Sequence, residues 1–97
     1  MKLGIILATH VDLATAAAIA HAARRARHEV TMFAMDLGCR ALAETPGVAH
    51  SLLDDDVEIM ACSNSSVGLD LIDGIIRGSQ DDHAAVVGTS NRLVAFT

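Results

Sequence analysis

Aromatic residues are nearly missing from this chain: two phenylalanines, no tryptophan and no tyrosine among 97 residues. With 52% of the chain hydrophobic, the core must be built from Ala, Val, Ile, Leu and Met, which pack closely but carry little area each. A single small domain with such a core gains from oligomerisation as further burial. Basic residues are also few, seven against twelve acidic ones for a net charge of −5, and Arg24, Arg25 and Arg27 cluster instead of forming a long stripe. That balance excludes nucleic acid as a partner. Long apolar runs are absent too. The run at residues 3–8 is far too short to span a bilayer and no small-residue cleavage pattern follows it, so no membrane role and a cytoplasmic location are expected. Only two cysteines occur, in no Cys-x-x-Cys or zinc spacing, and they read as thiols rather than a structural bridge. His21, His28, His50 and His83 are scattered, with no spacing that brings three ligands to a metal. There is no glycine-rich phosphate fingerprint. Strand one is not followed by paired carboxylates and Lys2 is the one lysine, which excludes an acidic-pocket receiver.

What is present is an alternation of strand and helix signals. Residues 3–8 form a continuous apolar run, the mark of a buried parallel strand, with residues 9–11 as its exit loop. Asp12 is the expected N-cap of an Ala-rich helix over 13–27, whose arginines fall in the last turns where the helix dipole favours cations. Residues 29–35 supply a second strand. Asp36-Leu37-Gly38 turns the chain into a helical piece at 39–43, Thr45-Pro46-Gly47 interrupts it, and a further helical stretch runs to about residue 53. Asp54-Asp55-Asp56 reads as a solvated turn before a third strand at 57–61. Over 64–76 two apolar stripes overlap, Val67, Leu71, Ile75 and Leu69, Ile72, Ile76, separated by Asp70 and Asp73. This spacing predicts a helix buried on more than one side, its second stripe a subunit contact. Ser79-Gln80-Asp81-Asp82 has capping-box spacing and opens a helix to Val87 that Gly88 terminates; residues 92–96 close the chain as a strand. The order predicts an α/β fold, a single-domain three-layer sandwich with a mostly parallel open sheet of about four or five strands and helices on both faces.

In such a sheet the exits of strands one, two and three share one edge, which gathers His10, Asp36, Cys39, Cys62, Ser63 and Asn64 on a single rim. Cys62 ends an apolar run just before a polar turn and the helix expected at 64–76. Free amides in the first turn of a helix favour a thiolate, the reactive form of cysteine. Cys39 has the same setting. Against both stands the tendency of cysteine to be a small buried hydrophobe. His10 follows a buried strand at the place where a nucleophile or base could stand, though a lone His there is more often a loop residue. Ser63, Ser65 and Ser66 are explained by capping and turns.

From end to end the chain resembles the DsrE/DsrF/DsrH family of small sulfur-relay proteins, which includes the TusD-like sulfurtransferase subunits. The resemblance is carried by the opening strand at residues 2–8, the small-residue helix leading to His28-Glu29-Val30-Thr31-Met32-Phe33, and the Asp36-Leu37-Gly38 turn. It continues through residues 57–62, the Asp81-Asp82 helix and Asn91-Arg92-Leu93-Val94-Ala95-Phe96. It implies a cysteine just after the third strand that accepts sulfane sulfur as a persulfide and passes it to a TusA-like carrier protein. Only Cys62 matches that position. The resemblance further implies no cofactor and assembly into dimers, trimers or hexamers. Two departures are visible: Ser65 stands in the region where several relatives have a second cysteine, and Arg27 where a glycine usually precedes the His-Glu-Val segment. A shorter stretch, Ile5-Ile6-Leu7-Ala8-Thr9-His10, resembles the opening of mannose-type phosphotransferase EIIA domains, which implies a phosphoryl group carried on His10. A third reading is a non-catalytic member whose rim binds a small molecule or partner.

Overall fold

The structure, a computed structural model, describes residues 1–97. Its elements are β1 (Lys2–Leu7), α1 (Leu13–Arg25), β2 (Glu29–Ala34), α2 (Leu37–Glu44), α3 (Pro46–Asp54), β3 (Glu58–Cys62), β4 (Ile76–Gly78), α4 (Gln80–Thr89) and β5 (Arg92–Phe96). The five strands form one sheet in the order β4-β3-β2-β1-β5, and every pairing is parallel. Parallel sheets lie under their own crossover connections, so their inner strands are apolar without alternation. Residues 3–7 of β1 and 30–34 of β2 are accordingly buried without a break. The α/β three-layer sandwich expected from the sequence is the observed fold.

Chain order decides which helix covers which face. From β1 to β4 the chain steps along the sheet in one direction, and right-handed crossovers keep those connections on one side. The step from β4 to β5 runs back across the sheet and carries α4 to the other side. Register shows the division: Ile5, Met32 and Ile59 are neighbours, fully buried, on the side of α1 to α3, while Ile6, Phe33, Met60 and Ile76 line up on the side of α4. There the Phe33 ring sits 5.1 Å from that of His83. In α1 the buried positions are Leu13, Ala16, Ala17 and Ala20, and small side chains let the helix lie close on β1 and β2.

Helix ends differ from expectation in ways that backbone hydrogen bonds explain. Asp12 occupies the N-cap position of α1, but its carboxylate accepts the Thr9 hydroxyl and not a helix amide. The helix stops at Arg25, short of 27, because Arg27 turns left-handed (φ 66°) and the His28 amide reaches back to the Ala23 carbonyl at 3.0 Å. α3 closes the same way, with Asp56 at φ 61° and the Val57 amide on Leu52 at 3.0 Å. The acidic run is therefore more than a solvated turn. Its Asp55 carboxylate lies 2.8 Å from His21 Nδ1, and its carbonyl accepts from Arg24 Nε at 2.8 Å, tying the end of α3 to α1. The capping box of Ser79 and Asp82 forms as expected. Gly88, however, does not terminate α4, which continues to Thr89.

The largest correction concerns residues 64–76, which do not form a helix. After β3 the chain makes turns over 63–68, runs irregularly, and enters β4 where the end of the helix was expected. Gly68 (φ 77°) and Gly74 (φ 101°) adopt left-handed backbone that no helix contains. Leu69, Leu71, Ile72 and Ile75 pack half-buried against the core, whereas Val67 and Ile76 are 76% and 51% exposed. Helical spacing of apolar residues thus served a loop laid on the core. The subunit contact expected from a second helical stripe loses its basis.

Two substitutions test this backbone reading by urea titration. Arg27→Gly relieves a left-handed residue with a Cβ and is expected to raise the unfolding free energy by about 1 kcal/mol. In Gly38→Ala the added Cβ would meet the Leu7 carbonyl oxygen at 2.1 Å, and the expected loss is about 2–3 kcal/mol. An unchanged midpoint in either variant contradicts the geometry described.

Candidate functional site

β3 ends on Cys62 at the carboxyl edge of the sheet, between β2 and β4. The Ser63 amide donates to the Gly78 carbonyl at 2.8 Å, so pairing with β4 continues to the last residue of the strand. One helical turn follows and goes no further: the Ser66 amide donates to the Cys62 carbonyl at 2.9 Å. Amides at the start of such a turn have no partner within it. Here they favour the anion of the Cys62 sulfur. The Ser65 amide is the main cause that lowers this thiol below the ordinary 9.0; burial opposes it, the Ser65 hydroxyl and Asn64 amide add to it, and the charge of Asp36 works against it. From the other side, Gln80 Nε2 in the first turn of α4 lies 3.9 Å from Cys62 Sγ. The helix dipole invoked from the sequence is absent. Local N–H groups of a single turn act in its place.

The thiol is also less open than a rim position implies. Cys62 is 4% exposed. Beside the turn is a cavity of about 260 Å³ lined by Asp36, Leu37, Arg40, Ser65, Val67 and Leu69. Ser65 and Asp36 are common to this cavity and the surroundings of the sulfur.

Cys39 is a different kind of thiol. It is fully buried, and its Sγ donates to the Ala34 carbonyl at 3.3 Å. Burial pushes it up to about 11, although the Cys62 amide pulls in the other direction. The expectation that α2 would favour a Cys39 thiolate is corrected: the helix begins at Leu37, but desolvation outweighs its amides. Asp36, exposed at the N-cap position of α2 with φ 50°, acts electrostatically on both thiols. Ser63 and Asn64 are exposed in the turn. Asp36, Cys39, Cys62, Ser63 and Asn64 therefore converge. His10 does not join them; its Nε2 is 2.5 Å from Glu44 Oε1, and it borders a separate cavity of about 230 Å³ between α1 and the end of α2. No three His, Cys, Asp or Glu side chains come together as a metal site, and no helix is long and apolar enough to cross a membrane.

Three residues of the site were not among those expected. Ser65 reads as a turn residue, yet its amide and hydroxyl both act on the sulfur. Gln80 lies far along the chain and arrives only because β4 pairs with β3. Arg77 carries the one visible signal, a cation at the end of the apolar stretch Ile75-Ile76. Its Nη1 donates to the Ser66 carbonyl (2.8 Å) and hydroxyl (2.7 Å), and its Nη2 to the Leu69 carbonyl (2.9 Å).

The contrast between the thiols gives two pH effects of opposite sign. Alkylation by iodoacetamide, followed by intact mass, is expected at Cys62 with a midpoint below 9.0, while Cys39 stays unmodified in the folded protein; a Cys39 adduct formed first contradicts the site. Above 9.0 the unfolded chain gives up the Cys39 proton that the folded state keeps to about 11, so stability is lost as pH rises through that window. Denaturation in urea across it should show the loss, and Cys39→Ala should remove it. For Cys62 the folded state gives up its proton first, so its contribution grows with pH up to 9.0 and is lost as pH falls through the lowered folded value.

No protein-family model matches the chain, and no curated protein matches it. Among solved structures, the ychN protein from E. coli superposes with a TM-score of 0.78 at 18% sequence identity, covering 99% of each chain. At that identity the likeness is one of fold, extending over the full length of both chains.

Proposed function

We propose that this chain is a persulfide carrier in a sulfur relay, with Cys62 as the residue that takes up and releases sulfur. The observation that carries the reading is the turn after β3, closed by the Ser66 amide on the Cys62 carbonyl at 2.9 Å, whose Ser65 and Asn64 amides and Ser65 hydroxyl lower the thiol of a cysteine at the carboxyl edge of the sheet. The DsrE-like arrangement of the sequence supports it, as does a fold shared over its whole length with the ychN protein. In the first step the Cys62 thiolate attacks the outer sulfur of a sulfane donor, the donor S–S bond breaks, and the donor leaves as a thiolate. Cys62 then holds a persulfide. In the second step an acceptor thiolate attacks the outer sulfur, and Cys62 departs as a thiolate. Sulfur moves with no net oxidation, and the turn amides stabilise Cys62 both as nucleophile and as leaving group.

Ser65 replaces the second cysteine of several relatives and acts by hydrogen bonding, so the mechanism uses one cysteine. Cys39, neutral and buried, supplies no nucleophile at neutral pH. The partners in this reading are a carrier protein of the TusA kind and further copies of the chain. Self-association would cover Ile76 and Leu93, which lie exposed on the sheet face that α4 alone protects. His10 is tied to Glu44, and nothing in its surroundings favours a phosphoryl group beside that carboxylate.

Incubation with a sulfane donor such as thiosulfate with a rhodanese, followed by intact mass, is expected to add one sulfur atom to the wild type and to Cys39→Ser, and none to Cys62→Ser. Retention of the added sulfur in Cys62→Ser would remove the assignment. His10→Ala should load as the wild type does.

A further inference from the structure

Arg77 lies on the edge strand β4, next to the glycine whose carbonyl accepts the Ser63 amide. Its register partner is Ala61, and that of Gly78 is Cys62, so the arginine side chain leaves the sheet on the face opposite the thiol. On that face it meets the connection between β3 and β4. Its three hydrogen bonds go to Ser66 and Leu69, none of them to a carboxylate. An arginine is paired with acidic groups elsewhere in the chain, at Arg24 and Asp56, but here the guanidinium is spent on a loop.

The residues it holds matter for the sulfur. Ser66 is fully buried. Its amide closes the turn onto the Cys62 carbonyl, its carbonyl accepts both the Leu69 amide (3.0 Å) and Arg77, and its hydroxyl accepts from Arg77 as well. The near end of the same turn presents Asn64 and Ser65. A single helical turn is unfavourable by itself, since one hydrogen bond fixes several backbone angles. It persists only where tertiary contacts hold it.

We propose that Arg77 is the positioning residue of the thiol site, its planar fork clamping Ser66 and Leu69 so that the turn stays closed over Cys62 and keeps its amides on the sulfur. The proposal rests on the reading of Cys62 as the reacting group, but it assigns Arg77 no contact with sulfur or substrate. Arginine suits the task because its donors are fixed in one plane and spaced to reach two carbonyls at once, which a lysine ammonium cannot reproduce. The clamp also explains how a nearly covered thiol is kept as the more readily ionised of the two.

The test uses a Cys39→Ala background, so that a single thiol reports. The pH dependence of iodoacetamide alkylation is measured for Arg77→Gln, Arg77→Lys and Ser66→Ala, each beside its urea midpoint. In Arg77→Gln the alkylation midpoint is expected to move up toward 9.0, and the plateau rate at high pH to rise at least about twofold as the turn opens. Arg77→Lys keeps the charge and loses the fork, and should move in the same way. A lysine variant with the wild-type midpoint would mean that charge alone suffices, which overturns the clamp. Loss of stability with an unmoved alkylation midpoint would make Arg77 merely structural, which overturns it as well. If Arg77→Gln fails to fold, Ser66→Ala removes one acceptor and should give a smaller upward shift; no shift there also overturns the proposal. Sulfane loading is scored separately: a wild type that loads while the Arg77 variants keep their midpoint defeats the clamp alone, and a wild type that never loads defeats the carrier reading alone.

Discussion

The short pairing of β4 with β3 sets the shape of everything around the thiol. β4 has only three residues and begins beside Met60, two residues before Cys62, so the chain leaving β3 must descend only about 7 Å before it pairs again. A helix over 64–76 would run roughly 18 Å and overshoot that start. The connection instead closes one turn, lays its leucines and isoleucines on the core, and returns. Its backbone groups still need partners, and Ser66, Leu69 and Arg77 supply them. The same economy that forbids a helix leaves the amides of Asn64 and Ser65 without helical neighbours, and these lower the Cys62 thiol.

Two cysteines at one edge of one sheet are shifted in opposite directions by what surrounds each. Cys39 lies within α2, on the inside of the fold, where desolvation dominates and the thiol keeps its proton. Cys62 is also little exposed (4%), but it sits at the sheet edge, where hydrogen-bond donors outweigh a smaller desolvation.

The sheet is covered unequally. Three helices and the 63–75 connection serve one face, while α4 serves the other against β1, β2 and β4. Phe33 and His83 fill the centre of that second face, leaving Ile76 and Leu93 open near its two edges. A chain with two aromatic residues lacks the large side chains that would close such a face from within.

Much of the fold was legible in the residues. Continuous apolar runs marked β1, β2 and β3, alanine spacing marked α1, Pro46 marked the break between α2 and α3, and Ser79 with Asp82 marked the start of α4, because each is a local preference of backbone or burial that needs no distant partner. Cys62 at the end of a strand was legible for the same reason. Residues 64–78 were not: Val67, Leu69, Leu71, Ile72, Ile75 and Ile76 satisfy helical spacing, and only the pairing of β4 against β3, decided between segments far apart in the chain, selects a loop and a short strand. The same holds for Arg77 on Ser66, for Gln80 beside Cys62 and for His10 turned to Glu44. The sequence by itself determined the α/β class, the order of most elements and the thiol at the strand end. Tertiary structure alone decided which thiol ionises the more readily, since that depends on donors and desolvation contributed by segments that meet only when the sheet is complete.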